Sequence, residues 1–329
     1  MPLIAASAYR PPRLITNGHL QTILPSLLRR VDGVIYGRER INTPDGDFLD
    51  LDWSRRQTDR LVVLCHGLEG STRTAYMKGM VRVFRRAGWD VLGINFRGCS
   101  GTPNRRLRSY HSGDTADLAT VLQHVRRIAA YKAIGLIGFS LGGNLVLKFL
   151  GERGCDLDAA IRWAAAVSVP CDLKAGALAM ARPACRIYMF RFLRTLCAKA
   201  RVKAIQSDGW LRPGDFRGLR TFREFDDRYT APAHGFKDAE EYWRRCSARF
   251  FIDRIRIPTL LINARNDPFL APESYPVAQA RRSARFYLEI PATGGHVGFI
   301  PPRLQDDFWH ENRILDFATR HSFDSSSGT

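Results

Sequence analysis

The feature that most constrains this chain is a serine flanked by glycines, at the point where an apolar run meets an amphipathic run. Residues 133–139 have the composition of a buried strand, and residues 141–152 have the apolar periodicity of a helix. The motif GFSLG lies between them at 138–142. Such a motif is weak evidence alone, but a strand–turn–helix context is the one that a nucleophile elbow requires. The pattern predicts that the turn presents the Ser140 hydroxyl.

Short apolar runs alternate with longer amphipathic runs over most of the chain. The predicted strands are 60–64, 90–96, 133–139, 161–169, 259–264 and 285–290, and the predicted helices are 76–87, 115–130, 141–152, 276–282 and 305–321. This alternation predicts an α/β fold with a mostly parallel sheet and helices on both faces. A Pro-Asp-Gly turn at 44–46 predicts a hairpin of 38–43 and 48–54 ahead of them, for about eight strands in all.

The alternation stops between residues 171 and 250, where the sequence is rich in arginine and aromatic residues. We expect a mainly helical insertion here, a lid above the strand ends of a single domain over residues 1–329. In residues 182–197 the apolar positions recur at helical spacing. Two interpretations of that helix stay open, namely the lining of an acyl pocket and ordinary packing of a lid helix.

Two further residues complete a catalytic arrangement with Ser140. A serine needs an adjacent base, and the base needs a third group to orient it. Asp267 follows the predicted strand at 259–264, and His296 follows the one at 285–290. Because the carboxyl ends of parallel strands share one sheet edge, we expect the three side chains to meet there. The order serine, acid, histidine is the one found with a nucleophile elbow.

Other acids and histidines fit less well. Asp253 precedes its strand and would lie at the wrong edge, and Asp226 and Asp227 fall in the insertion. His310 and His321 belong to the closing helix, where a surface histidine is expected to be solvated.

The tetrahedral intermediate formed on a catalytic serine needs hydrogen-bond donors for its oxyanion. The backbone N–H of Leu141, which follows the serine, is one candidate. The second is the N–H of Leu68 in the loop His66-Gly67-Leu68-Glu69-Gly70, after the predicted strand at 60–64. His66 itself lies at that strand end, and we expect it to brace this loop rather than act as the base.

The composition and the absence of other motifs bear on nucleic-acid binding, membrane contact, metal binding and location. The net charge is +18, but the arginines are spread along the chain and no nucleic-acid motif is present, so specific nucleic-acid binding is not expected. Attraction to an anionic membrane surface stays open. Seven cysteines without a Cys-x-x-Cys pair indicate free thiols. No signal peptide or membrane span is recognised, so we expect a cytoplasmic protein that could still contact the membrane peripherally. No zinc motif or nucleotide fingerprint is recognised either, so we expect neither a metal nor a cofactor.

Several long blocks together resemble one branch of the α/β-hydrolases, the YheT-like family related to the ABHD1/ABHD3-type lipid hydrolases. The blocks are NGHLQT at 17–22, HGLEGS at 66–71, NFRGCSG at 95–101, GFSLGGN at 138–144, FREFDDRYTAPAHGF at 222–236, NDPF at 266–269 and GGHVGF at 294–299. They span nearly the whole chain in order, which is more specific than any single motif.

The resemblance implies an α/β-hydrolase fold, a Ser140–Asp267–His296 triad, and hydrolysis of short- to medium-chain acyl esters or lipids. Related fungal proteins form esters by acyl transfer, so alcoholysis on the same site is the first alternative. A separate His-x4-Asp acyltransferase motif gains no support, because His234 and Asp238 are one residue too close. A non-catalytic basic protein of the membrane surface is the second alternative. No feature of the sequence indicates whether the protein is a monomer or an oligomer.

Overall fold

The sheet has nine strands and is accompanied by eleven α-helices in the computed structural model, which describes residues 2–205, 207 and 209–322. The strands are β1 (Leu3–Ile4), β2 (Gly37–Asn42), β3 (Phe48–Ser54), β4 (Arg60–Cys65), β5 (Asp90–Asn95), β6 (Ala133–Phe139), β7 (Ile161–Val167), β8 (Thr259–Ile262) and β9 (Phe286–Glu289). The helices are α1 (Gly18–Leu28), α2 (Ala75–Arg86), α3 (Thr115–Ile128), α4 (Leu141–Arg153), α5 (Leu173–Met180), α6 (Arg186–Ile205), α7 (Phe222–Phe225), α8 (Ala231–Ala233), α9 (Ala239–Cys246), α10 (Val277–Arg282) and α11 (Trp309–His321).

The strand order is β1-β9-β8-β7-β6-β4-β5-β3-β2. All neighbours from β1 to β5 in this order pair in parallel, and β3 and β2 add antiparallel pairs at the other edge. The carboxyl ends of β4, β6, β7, β8 and β9 therefore share one edge, and the loops that follow them can meet above it.

Helices cover both faces of this sheet, as expected of strands that are apolar throughout. Apolar side chains of α2 and α11 pack on one face, and those of α3, α4 and α10 pack on the other. Strand β6 lies at the centre, and all seven of its residues are buried. The predicted α/β-hydrolase architecture is confirmed.

The structure differs from the sequence prediction at both termini. The ninth strand is β1, only two residues long, whose shortness leaves no alternation to recognise. Helix α1 was not predicted as an element, although Asn17 caps it by accepting bonds from the N–H groups of His19 and Leu20. The closing helix begins at Trp309 rather than residue 305, and the side chain of Glu311 accepts the N–H of Phe308 across its first turn.

A buried ion pair joins the end of α1 to α11. The guanidinium of Arg29 contacts the carboxylate of Glu311 at 2.7 Å, and the two side chains are 1% and 0% exposed. The same guanidinium lies 3.6 Å from the ring centroid of Phe308. Gly79 of α2 leaves the space for this pair, since a Cβ there would lie 2.0 Å from Glu311 Oε1.

A long, mainly helical segment connects β7 and β8, and we refer to its residues 171–250 as the insertion. Helices α5 to α9 lie in it, with a single π-helical turn at Asp226–Thr230. Buried side chains of α6 and of the α7 region form a cluster of their own, separate from the two clusters on the sheet.

All seven cysteines are free, five of them buried. Within the part of the chain that the structure describes, no helix has the length and hydropathy needed to cross a membrane.

Candidate active site

Ser140 lies in a strained turn between β6 and α4. Its φ and ψ angles are 51° and −117°, a region that residues other than glycine rarely adopt. The turn is fixed on both sides, because the Ser140 N–H donates to Val167 O at 2.8 Å and the Asn144 N–H donates to Ser140 O at 3.0 Å. This strand–turn–helix geometry presents the serine at the carboxyl end of β6.

Gly142 lets this turn approach the end of β4. A Cβ at Gly142 would lie 2.4 Å from the backbone oxygens of both Cys65 and His66. Backbone atoms cannot move aside as a flexible side chain can, so a larger residue would push α4 away from β4. The glycine therefore keeps Ser140 close to the loop that carries Leu68.

Asp267 and His296 form a hydrogen-bonded pair after β8 and β9. His296 Nδ1 lies 2.8 Å from Asp267 Oδ2, and the exposed fractions of the two side chains are 11% and 0%. The other carboxylate oxygen accepts the N–H of Phe269 at 2.9 Å, and the Phe269 ring lies 4.3 Å from the imidazole. Because the carboxylate only accepts, Nδ1 carries the proton and Nε2 is left as the basic nitrogen.

The histidine loop is held by α1. Thr22 Oγ1 accepts the N–H of His296 at 2.9 Å, and Gln21 Oε1 accepts the N–H of Gly294 at 2.7 Å. The Ser168 hydroxyl, after β7, accepts the N–H of Val297 at 2.8 Å. Sequence reasoning assigned no role to these three side chains. For Gln21 and Thr22 the only signal was that residues 17–22 form one of the blocks that carry the family resemblance, and Ser168 had no such signal.

Leu68 and Leu141 both line the cavity that Ser140 and His296 border, and the Leu68 loop is braced by His66. His66 Nδ1 donates to Gly67 O at 2.7 Å, and its Nε2 accepts the N–H of Phe96 at 3.1 Å. Burial lowers the pKa of His66 to about 4, so the ring is neutral at ordinary pH. These bonds agree with the bracing role expected for His66.

A second network ties this loop to the insertion. Glu69 has a φ of 54° and accepts at Oε1 both the hydroxyl of Tyr110 at 2.8 Å and the ammonium of Lys199 at 2.9 Å. The Tyr110 hydroxyl in turn accepts the N–H of Glu69 at 2.8 Å. Since Lys199 belongs to α6, the residue after Leu68 is held directly by the insertion.

The cavity above the serine is roofed by the insertion. It contains about 910 Å³ of space not filled by atoms, its open mouth included. The insertion contributes mostly apolar and aromatic side chains to its wall, among them Leu173, Met180, Phe192, Leu196, Phe225 and Trp243. A cavity with so apolar a wall suits the burial of an acyl chain.

The two interpretations of the 182–197 helix each describe one of its faces. Phe192 and Leu196 line the cavity, whereas Met189, Leu193 and Cys197 are buried in the cluster internal to the insertion.

The structure also places the other acids and histidines that were weighed against Asp267 and His296. Asp253 is exposed and pairs with Arg282, and Asp226 lines the cavity, where burial from bulk water raises its pKa to about 7. The expectation of a solvated His310 is wrong: its side chain is 0% exposed, because α11 turns this position toward Phe139 and Phe299.

One cluster has metal-ligand chemistry. Ligand atoms of His111, Asp114 and His234 lie within 4.8 Å of one another. Protein groups already contact two of them, since Arg108 donates to both Asp114 oxygens and the His234 ring, with a carbonyl facing each nitrogen, donates its single N–H to either Thr230 O or Ser109 O. The donor set therefore fits an internal hydrogen-bond network better than a cation.

Comparison with known proteins places the chain among enzymes of this architecture. The family model Hydrolase_4, described as serine aminopeptidase S33, matches residues 56–302. The Escherichia coli K12 protein named "Putative esterase YheT" is 38% identical, with 96% of this chain and 94% of that protein covered. Mouse "Phospholipase ABHD3" is 27% identical, with 90% of this chain and 74% of that protein covered.

More distant proteins share the fold. The yeast "Medium-chain fatty acid ethyl ester synthase/esterase 2" is 26% identical, with 79% of this chain and 62% of that protein covered. A solved esterase of Pyrococcus furiosus superposes with a TM-score of 0.61 at 19% identity, with 90% of this chain and 97% of that one covered. The turn at Ser140 and the order of the strands agree with these matches. The chain therefore belongs to the YheT-like branch of the Hydrolase_4 family of α/β-hydrolases, and it is an enzyme of the hydrolase class.

Proposed function

We propose that the protein is a serine carboxylic-ester hydrolase with Ser140 as nucleophile, His296 as base and Asp267 as the orienting acid. The observation that carries the proposal is the 2.8 Å contact between His296 Nδ1 and Asp267 Oδ2, which leaves Nε2 basic beside a cavity that Ser140 also lines. The apolar wall of that cavity supports short- to medium-chain acyl esters or lipids as the substrate class.

The reaction follows from these positions. Ser140 Oγ attacks the ester carbonyl while His296 Nε2 takes its proton. The N–H groups of Leu68 and Leu141 hold the oxyanion, and His296 then protonates the departing alcohol. Water, deprotonated by the same histidine, attacks the acyl-enzyme and releases the acid.

We also propose that residues 171–250 act as a lid on a single catalytic domain. The insertion supplies most of the apolar cavity wall, and Lys199 of α6 bonds the residue that follows Leu68. Closure of the insertion would thus exclude water from the cavity and hold the oxyanion loop at the same time.

The decisive experiment is covalent labelling. A fluorophosphonate probe is expected to label the wild type and to leave Ser140→Ala unlabelled, because the probe reacts with an activated serine. Ser112→Ala, which changes another serine of the cavity wall, serves as the control and is expected to label normally. Labelling of Ser140→Ala at the wild-type rate would refute the assignment.

Ester formation on the same site is the second candidate, favoured by the yeast relative's name as a synthase and esterase. An acyl-enzyme in an apolar cavity can be attacked by an alcohol as well as by water. The ratio of ethyl ester to free acid formed by the wild type with added ethanol separates the two outcomes.

Lys199→Met is expected to lower kcat roughly tenfold with little change in KM. This loss is smaller than the loss of about 10²–10³ in kcat on deleting an oxyanion donor, because Lys199 would only position the loop that carries the donor. Lys199 is not part of the cavity wall, and we infer that it acts as a positioning residue through Glu69. Steady-state kinetics on a p-nitrophenyl ester measure the effect, and Lys199→Arg is expected to restore most of it. The control is Lys132→Met, which removes a 78% exposed lysine paired with Asp59. Equal kcat values in the two methionine variants would contradict the role.

A further inference from the structure

The outer face of α6 carries exposed apolar side chains that packing among the described residues does not explain. Ile187 is 79% exposed, Phe190 is 68% exposed and Ile205 is 78% exposed. Their positions fall on one side of the helix, together with Val202, which is 47% exposed. Large apolar side chains that lie together on a surface indicate a site of contact with another molecule or with a membrane.

The opposite side of α6 already has its packing partners. Met189, Leu193 and Cys197 are buried in the cluster internal to the insertion, and Phe192 and Leu196 border the cavity. The helix is thus apolar on two faces, and one of them lacks a partner among the described residues.

The charges on α6 have a single sign. The helix contains six lysines or arginines and no acidic residue. Arg186, Arg191 and Arg194 are exposed, and none of them forms an ion pair with a residue that the structure describes. Arg191 and Arg194 lie on the same side as Ile187 and Phe190, so cationic and apolar groups share one surface.

We propose that this outer face of α6, defined by Ile187, Phe190, Arg191, Arg194 and Ile205, docks on an anionic membrane surface. Isoleucine and phenylalanine can enter the boundary between head groups and acyl chains while arginines pair with anionic head groups. A second copy of the chain fits less well, because two such faces would bring like charges together. The docked helix would lie with its other face toward the cavity above Ser140.

The experiment is flotation of the purified protein with vesicles. Wild type is expected to float with phosphatidylcholine vesicles that contain phosphatidylglycerol, and to bind them less at high salt and on pure phosphatidylcholine, since each cation near an anionic surface strengthens binding about fivefold. Ile187→Ser combined with Phe190→Ser is expected to weaken binding at least about tenfold through loss of apolar burial. Its activity on a water-soluble ester, and hence its fold, is expected to stay unchanged.

The matched control is Ile35→Ser combined with Ile128→Ser, which likewise changes two exposed apolar side chains, 77% and 43% exposed, but outside α6. This variant is expected to bind as the wild type does. Lack of wild-type flotation, or equal flotation of the α6 variant, would overturn the proposal. A wild-type dimer in light scattering that the α6 variant dissociates would assign the face to a second copy and overturn it as well. Ser140→Ala is expected to float normally, so failure of docking and failure of the catalytic assignment are separate results.

Discussion

Asp267→Asn is expected to lower kcat about 10⁴-fold on a water-soluble ester. The carboxylate accepts the Nδ1 proton of His296 at 2.8 Å, whereas an asparagine amide can donate to Nδ1 and so stabilise the tautomer that protonates Nε2. That tautomer cannot take the proton of Ser140. The asparagine can still accept the N–H of Phe269, so the loop is expected to keep its conformation.

Steady-state kinetics with burst titration of active sites measure this effect. Asp253→Asn is the control, since Asp253 is the rival acid next to the same strand and pairs with Arg282 at the surface. It is expected to keep the wild-type kcat. If Asp267→Asn retained activity within a few-fold, the acid role would pass to another carboxylate of the cavity, with Asp226 the first to test.

Arg29→Met is expected to lower the free energy of unfolding by about 3–5 kcal/mol. The methionine removes the partner of Glu311, whose carboxylate is 0% exposed and would stay buried without a counter-charge. Urea unfolding followed by circular dichroism measures the loss. The cost arises from the stranded charge rather than from the pair itself, so Arg29→Met combined with Glu311→Leu is expected to recover most of it.

The surface pair of Arg282 and Asp253 gives the comparison. Its side chains are 57% and 50% exposed, and Arg282→Met is expected to change the free energy of unfolding by about 1 kcal/mol or less. A loss in Arg29→Met no larger than this would show that water reaches Glu311, contrary to its burial in the structure.

The placement of the candidate site residues was predictable where local pattern and topology agree. The apolar run before Ser140 and the helix after it predict the elbow, and parallel strands place the residues after β8 and β9 at the same edge. The geometry agrees with that expectation for Asp267 and His296, which are in hydrogen-bond contact.

Other parts depend on contacts that no local pattern encodes. Thr22 and Gln21 act on a loop near residue 296, far along the chain. The apolar periodicity of α6 indicated one packed face, but it could not show which apolar side chains face the core and which, such as Phe190, face outward. Likewise, nothing local distinguishes the buried His310 from a solvated histidine.

Pairing of β1 with β9 has a consequence for the order in which the protein matures during translation. The ribosome produces β1 and α1 long before β9 and the His296 loop that they contact. The nascent chain therefore contains Gln21 and Thr22, which hold that loop, before it contains the histidine itself. Under the proposed triad, a chain that ends before residue 296 lacks the base and is expected to be inactive on esters.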